Sequence, residues 1–329
     1  MGLELAPVSL AAIQRPVDRE LEAVFSELKR IIASDLPNIA EVNRHLLRMR
    51  GKMFRPTLLL LAARSSGGIQ PADITLAAVV ELVHLATLIH DDSVDHSVLR
   101  RGQPTINALF SHQVAVIMGD YLYSRAIIEL VELDDPEPLR VMARATNEMT
   151  VGEMRALMAY DVLDYSEEDY EALIRSKTAS LMSAACEIGS LRAPVEQRER
   201  LRRYGLYLGM AFQITDDLLD YVGSQSVTGK PTGLDLKEHK MTLPLIAALP
   251  RMSSEERALV ERLMADADPS AELIASVVAA VEARGGIAAA RARAEELARQ
   301  AEAELEGLPP SPYRDALRDC LIYAIERRS

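Results

Sequence analysis

Asp73-Ile74-Thr75-Leu76-Ala77-Ala78-Val79-Val80-Glu81-Leu82-Val83-His84-Leu85-Ala86-Thr87-Leu88-Ile89-His90-Asp91-Asp92-Ser93-Val94-Asp95 is the stretch whose reading decides the fold. Leu76, Val79, Val80, Val83 and Thr87 recur at the three- and four-residue steps of one helix face. The apolar run over 74–89 is broken by Glu81 and His84 and is shorter than the roughly 18 residues a membrane span needs. The stretch is therefore predicted to be a helix buried in protein, ending in a cluster of carboxylates.

Working outward, the same period fills 121–133, 139–160, 168–188, 196–221, 255–266 and Ala271–Ala283. The Ala-, Arg- and Glu-rich stretch 285–304 reads as an exposed helix. Turn residues punctuate these runs at Ser65-Ser66-Gly67-Gly68, Asp134-Asp135-Pro136, 223–233 and Leu308-Pro309-Pro310. No alternating strand run and no linker appear, so residues 1–329 are expected to form a single all-α domain, a bundle of long helices. Composition agrees: 49% of residues are apolar, only 4% are aromatic, and Gly and Pro number sixteen each in 329.

The balance of charge excludes other classes. Asp and Glu number 49 against 37 Lys and Arg, a net charge of -12, whereas a nucleic-acid or anionic-membrane binder leans the other way. Cys186 and Cys320 are too few for a disulfide framework or a zinc site, and Cys186 is expected to be a buried reduced thiol. Met1-Gly2-Leu3-Glu4-Leu5 lacks the basic start of a secretory signal. A soluble cytoplasmic protein is expected.

The chemistry is carried by two acidic clusters with one spacing. Asp91-Asp92-Ser93-Val94-Asp95 ends the helix above; Asp216-Asp217-Leu218-Leu219-Asp220 ends the one that begins near Glu196. Residues i and i+4 share a face, so Asp91 projects with Asp95 and Asp216 with Asp220. Like charges at that spacing repel, and the negative end of a helix dipole makes carboxylates less welcome still. A shared divalent cation resolves both penalties. All-oxygen ligands select a hard ion, Mg²⁺ or alternatively Mn²⁺, held by carboxylates together with substrate phosphates. Cations flank both clusters: Lys52 and Arg55 in Gly51-Lys52-Met53-Phe54-Arg55-Pro56, then Arg100, Arg101, Lys177, Lys230 and Lys240. Together they suit clamps for two diphosphates. Gly229-Lys230-Pro231-Thr232 lacks the earlier Gly and the strand of a phosphate loop.

These segments resemble the trans-isoprenyl (polyprenyl) diphosphate synthases, most of all the bacterial long-chain, octaprenyl-type members. The resemblance rests on Gly-Lys-x-x-Arg-Pro at 51–56, Leu88-Ile89-His90-Asp91-Asp92-x-x-Asp95, Arg100-Arg101-Gly102-x-Pro104-Thr105 and Gly119-Asp120-Tyr121-Leu122. It continues through Lys177-Thr178, Phe212-Gln213-x-x-Asp216-Asp217-x-x-Asp220, Gly233-x-Asp235-Leu236 and Lys240-x-Thr242-Leu243-Pro244. It implies helices around a deep central cavity and a homodimer. It also implies a Mg²⁺ cluster on Asp91, Asp92, Asp95, Asp216, Asp217 and Asp220, holding an allylic diphosphate. Lys52, Arg55, His84 and Arg101 then match the isopentenyl diphosphate site, although His84 as a satisfied core imidazole is the competing reading. Arg100, Lys177, Lys230 and Lys240 match the allylic clamp, and Thr178 and Gln213 would turn oxygen dipoles toward an allylic cation. No membrane span is implied, although the product is one that a membrane would receive.

Two positions depart from the family's habit. His239 stands where Gly is common, and Ala156 where Gln is common. Product length is expected to depend on Ala86 and Thr87, small residues one turn before Asp91, and on Gly209, seven residues before Asp216. These leave room for a long tail, with Met118, Leu122, Met154 and Met158 as candidates for its floor. A long-chain product is the expectation. A short-chain farnesyl or geranylgeranyl synthase, a terpene cyclase and a partner-dependent subunit of a heteromeric synthase are the alternatives. The cyclase is disfavoured by the second Asp-Asp-x-x-Asp, the partner-dependent subunit by the retention of both motifs.

Overall fold

Helix after helix follows from the capping chemistry written into the chain. The computed structural model describes residues 8–48, 51–100, 102–158, 164–222 and 233–326. The first helices are α1 (Leu10–Gln14), α2 (Asp18–Ile31), α3 (Pro37–Arg48), α4 (Phe54–Ser65) and α5 (Pro71–Val94). Then come α6 (Ile106–Leu109), α7 (His112–Glu132), α8 (Pro136–Leu157), α9 (Glu167–Ile174), α10 (Ser180–Gly189) and α11 (Val195–Val222). The rest are α12 (Leu234–Lys237), α13 (Leu243–Ala248), α14 (Ser254–Ala265), α15 (Ala271–Ala283), α16 (Gly286–Glu306) and α17 (Pro312–Ile325).

Helix α5 starts where Pro71 fixes the first turn and Gln70 and Asp73 cap each other reciprocally. Asp73 is fully buried, and Arg192 from the α10–α11 connection neutralises it at 2.6 Å. By length and composition α5 could cross a membrane, yet 61% of that window is buried within the protein. It packs between α4, α2 and α7. Its apolar residues join one core cluster with α2, α4, α7, α10 and the first half of α11. A second cluster gathers the end of α11 with α13, α15 and α16, and Tyr207 packs against both.

Three expectations change. Residues 168–188 are two helices joined by a π-helical turn over Arg175–Ala179, not one continuous helix. The stretch 285–304 is not an exposed helix: Ala290, Ala294, Leu297, Ala298 and Ala301 of α16 are buried, and α16 packs along α11. Its small side chains let two backbones approach closely, a pattern that polar residues between them hide from a hydropathy reading. A two-residue hairpin pairs Leu99–Arg100 with Gln103–Pro104 after the first acidic cluster. It is too short to show an alternation. Cys186 is free and buried, as expected, and so is Cys320.

Candidate active site

The C-terminal end of α5, the π turn and the last turns of α11 converge with α8 to form the site. At its centre the Lys177 ammonium lies 3.6 Å from Asp91 and donates a hydrogen bond to Glu153 of α8 at 3.0 Å. Burial alone would lower the lysine's pKa, but the charges of Asp91 and Glu153 raise it overall. Asp91 is raised, by burial first and then by the negative charges of Glu153 and Asp95, against the pull of Lys177. The π turn has a local cause and a local use. An extra residue in the turn changes the helical phase, a device found often at functional sites. Gly152 of α8 lets it approach: a Cβ there would stand 2.0 Å from Ser176 Oγ.

Beside this centre runs a chain of hydrogen bonds. Thr178 donates to Gln213 Oε1 at 2.7 Å, Gln213 donates to Asp217 Oδ1 at 2.8 Å, and Tyr170 donates to Asp217 Oδ2 at 2.5 Å. Asp217 is buried, and its pKa is pushed up to about 7 by burial and by the charge of Asp235, against the two hydrogen bonds it accepts. The Phe54 ring stacks on Phe212 with centroids 5.7 Å apart, so the 51–56 turn leans on the residue before Gln213. Gln14 ties down the same turn, donating to the carbonyl of Lys52 and the hydroxyl of Thr57. Lys52 is exposed, with its ammonium 5.8 Å from the Tyr323 ring centroid. Arg55 and His84 are half-buried on α4 and α5, which pack together.

The six aspartates fall into different surroundings. Asp91 and Asp216 are half-buried and Asp95 is exposed at the end of α5. Asp92, one residue and about 100° around the helix from Asp91, is buried and takes Arg100 Nε on both oxygens at 2.8 Å. In this structure Asp92 and Arg100 neutralise each other and hold the hairpin to α5. Asp217 is likewise occupied by Tyr170 and Gln213. Asp220 accepts the backbone N–H groups of Leu234 and Asp235 at 3.0 and 2.9 Å, so it caps α12. Among the described residues no three His, Cys, Asp or Glu side chains gather closely enough to ligate one ion by themselves. The donor set, all carboxylate oxygen, nevertheless fits Mg²⁺, which takes one or two carboxylates and completes its shell with waters and substrate phosphates.

Lys240 is exposed and donates to Glu238 at 2.6 Å. Burial opposes its charge, while Glu238, Asp235 and Asp95 raise its pKa overall, so it lies in the field of both acidic ends. His239 has a left-handed backbone at φ 58°, the conformation that makes Gly common there, and its ring reaches the Asp266 carbonyl at 2.8 Å. Arg101 and Lys230 lie outside the described residues.

The expected tail path runs back along α5. Ala86 is buried, and Thr87 turns its hydroxyl onto the His84 carbonyl at 2.8 Å. Met118 and Leu122 are buried in the same cluster as Ala86, whereas Met154 and Met158 are more than half exposed and form no floor. Gly209 opens no space either: a Cβ there would stand 2.5 Å from Ala179 Cα, so it serves the packing of α11 on the π turn. A small apolar pocket of about 20 Å³ lies farther down, between Leu28, Leu46, Leu82, Leu85 and Leu122. The larger cavity, about 110 Å³, is elsewhere, between Arg144, Arg175, Glu187 and Arg202 behind the π turn, and includes none of the aspartates.

Sequence reasoning missed Glu153 and Tyr170 as site residues. Glu153 stood in plain view beside Gly152 and one turn before Ala156; a carboxylate next to a glycine inside a helical run was the available signal. Tyr170 carries no such signal, since its reach to Asp217 spans 47 positions.

With this geometry in hand, comparison with known proteins gives a consistent result. Residues 36–281 match the family model for polyprenyl synthetase. The octaprenyl diphosphate synthase of Escherichia coli (strain K12) is 37% identical over 322 residues, covering 97% of this chain and 99% of that one. The all-trans-nonaprenyl-diphosphate synthase (geranyl-diphosphate specific) of Rhodobacter capsulatus is 39% identical over 318 residues, covering 96% and 97%. A crystal structure of polyprenyl synthase from Caulobacter crescentus CB15, complexed with calcium and isoprenyl diphosphate, superposes with a TM-score of 0.92 at 34% identity, covering 99% and 100%. Fold and relatives agree, and the chain belongs to the polyprenyl synthetase family.

Proposed function

We propose that this protein is a trans-prenyltransferase that condenses isopentenyl diphosphate with an allylic diphosphate, repeatedly, into a long-chain all-trans polyprenyl diphosphate such as a quinone side-chain precursor. The observation that carries the reading is Lys177 poised 3.6 Å from Asp91, beside the Thr178–Gln213–Asp217 chain. Asp91, Asp95 and Asp216 are the carboxylates best placed to hold Mg²⁺ with the allylic diphosphate, with Asp220 completing the second motif. Asp92 and Asp217 hold the hairpin and the Gln213 amide. Mg²⁺, when bound, supplies charge that stabilises the departing diphosphate oxygens. Lys177, Lys240 and Lys230 grip that diphosphate; Lys52, Arg55, His84 and Arg101 grip isopentenyl diphosphate.

The allylic C–O bond breaks heterolytically, and diphosphate leaves with the electron pair. The isopentenyl double bond attacks the cation to form the new C–C bond, and a proton lost to the released diphosphate restores a double bond. The Thr178 and Gln213 oxygens face the cation during that interval. The apolar pocket bounded by Leu82 and Leu85 lies six to nine residues before Asp91, roughly 9–14 Å down α5, which supports a deep floor. We further read residues 1–329 as one domain that works as a homodimer in the cytoplasm. Tyr207 bridging the two cores supports the first, exposed apolar residues along α7 the second, and two free thiols the third.

The test is the purified chain with farnesyl diphosphate, isopentenyl diphosphate and Mg²⁺, followed by chromatography of the dephosphorylated products. Products beyond geranylgeranyl length are expected. Asp91→Ala or Asp216→Ala should lower turnover by about 10²-fold or more. Full activity in EDTA, or near-normal turnover of both variants, would overturn the metal assignment.

A further inference from the structure

Glu153 is a carboxylate beside a site for a polyanion, where its charge repels substrate unless something else in the fold uses it. The structure gives it one such use. Both of its oxygens lie against Lys177 Nζ, at 3.0 and 2.9 Å, and the same ammonium stands 3.6 Å from Asp91. The contact is built on two backbones: Gly152 lets α8 close onto the π turn, and Ser176, whose hydroxyl bonds back to the Ala172 carbonyl, fills the space a side chain would need. An ammonium has three N–H donors. The hydrogen bond to Glu153 uses one of them and Asp91 stands just beyond hydrogen-bond reach, so a donor remains for an incoming diphosphate oxygen.

We propose that Glu153 is a positioning residue, which acts on the allylic substrate through Lys177 by holding its long, flexible side chain at the mouth between α8 and the π turn. This rests on the proposed prenyltransferase reading for the identity of the ligand. Without Glu153 the lysine has many rotamers to lose on binding, and the diphosphate meets it less often in place. The isopentenyl clamp residues Lys52, Arg55 and His84 are not among the partners of this contact.

The test is a thermodynamic cycle on binding of farnesyl thiodiphosphate, an unreactive analogue, with saturating Mg²⁺, measured by calorimetry. Glu153→Ala should weaken binding about tenfold, the size of one charge-assisted hydrogen bond. The same change made in a Lys177→Ala background should add less than about twofold, because the two residues act as one. Glu153→Gln, of the same shape and still an acceptor, should fall between wild type and Glu153→Ala and provides the measurement if the alanine variant is unstable. In turnover, the KM for the allylic substrate should rise and that for isopentenyl diphosphate should stay put. Independent, multiplicative effects in the double variant, an equal rise in both KM values, or a shifted Mg²⁺ requirement for Glu153→Gln in the Lys177→Ala background would each overturn the proposal. Wild-type protein that binds the analogue yet makes no product would refute the prenyltransferase reading alone.

Discussion

Ala86 and Thr87 occupy the turn before Asp91, and a tail growing from the diphosphate must pass them. Ala86→Phe adds a ring to a buried position whose cluster also holds Met118 and Leu122. Condensation should continue, because no diphosphate ligand is touched, but the product should shorten to farnesyl or geranylgeranyl length on chromatography. An unchanged product would place the tail on another face of α5. The identity of the carboxylates was legible from their spacing; their separate tasks were not. An i, i+4 rule groups Asp91 with Asp95, yet only tertiary neighbours decide that Asp92 meets Arg100 and Asp217 meets Tyr170. His239 shows the opposite case. Its departure from Gly was visible in sequence, while the reason Gly suits that position, a left-handed backbone, needed the structure.

Among elements, the π turn of Arg175–Ala179 most shapes the site. Hydrophobic period gave the helices on either side of it because periodicity reports burial, of Tyr170 and Ile174 before the turn and of the whole of α10 after it. It could not give the phase change, because five residues of π geometry leave the apolar pattern nearly intact. Gly209 is the element-scale control. A Gly→Ala change inside a helix gains up to about 1 kcal/mol in propensity, but here the new Cβ would meet the Ala179 backbone at 2.5 Å. Backbone cannot yield as a side-chain tip does, and overpacking of this kind costs about 1–3 kcal/mol. Gly209→Ala should therefore lower the melting temperature, and it should reduce turnover by displacing Lys177 and Thr178. A melting temperature equal to or above wild type would show that α11 and the turn can separate freely. The expectation that Gly209 leaves room for substrate failed for the same reason: a missing side chain is space only if no neighbour has already taken it.

For the molecule as a whole, the proposed dimer is tested at one apolar surface. Val116, Ile117, Tyr123, Ile128 and Val131 are exposed on one face of α7, Ile117 at 63% and Val131 at 60%. Exposed apolar rows of this kind mark association surfaces. Ile117→Asp should shift the mass seen by light scattering from dimer to monomer without unfolding the chain. A wild-type monomer at micromolar concentration would remove the dimer from the account. The interior holds a less visible seam. Ile89 and Ala86, near the first acidic end, belong to one hydrophobic cluster, while Ile214 and Leu218, around the second, belong to the other. The first acidic end is thus set in one packed cluster and the second in the other, with α11 passing through both. On the proposed reading, a diphosphate bound across both acidic ends would tie the two clusters together. Binding of farnesyl thiodiphosphate with Mg²⁺ should then raise the melting temperature, and loss of the diphosphate should give that gain back.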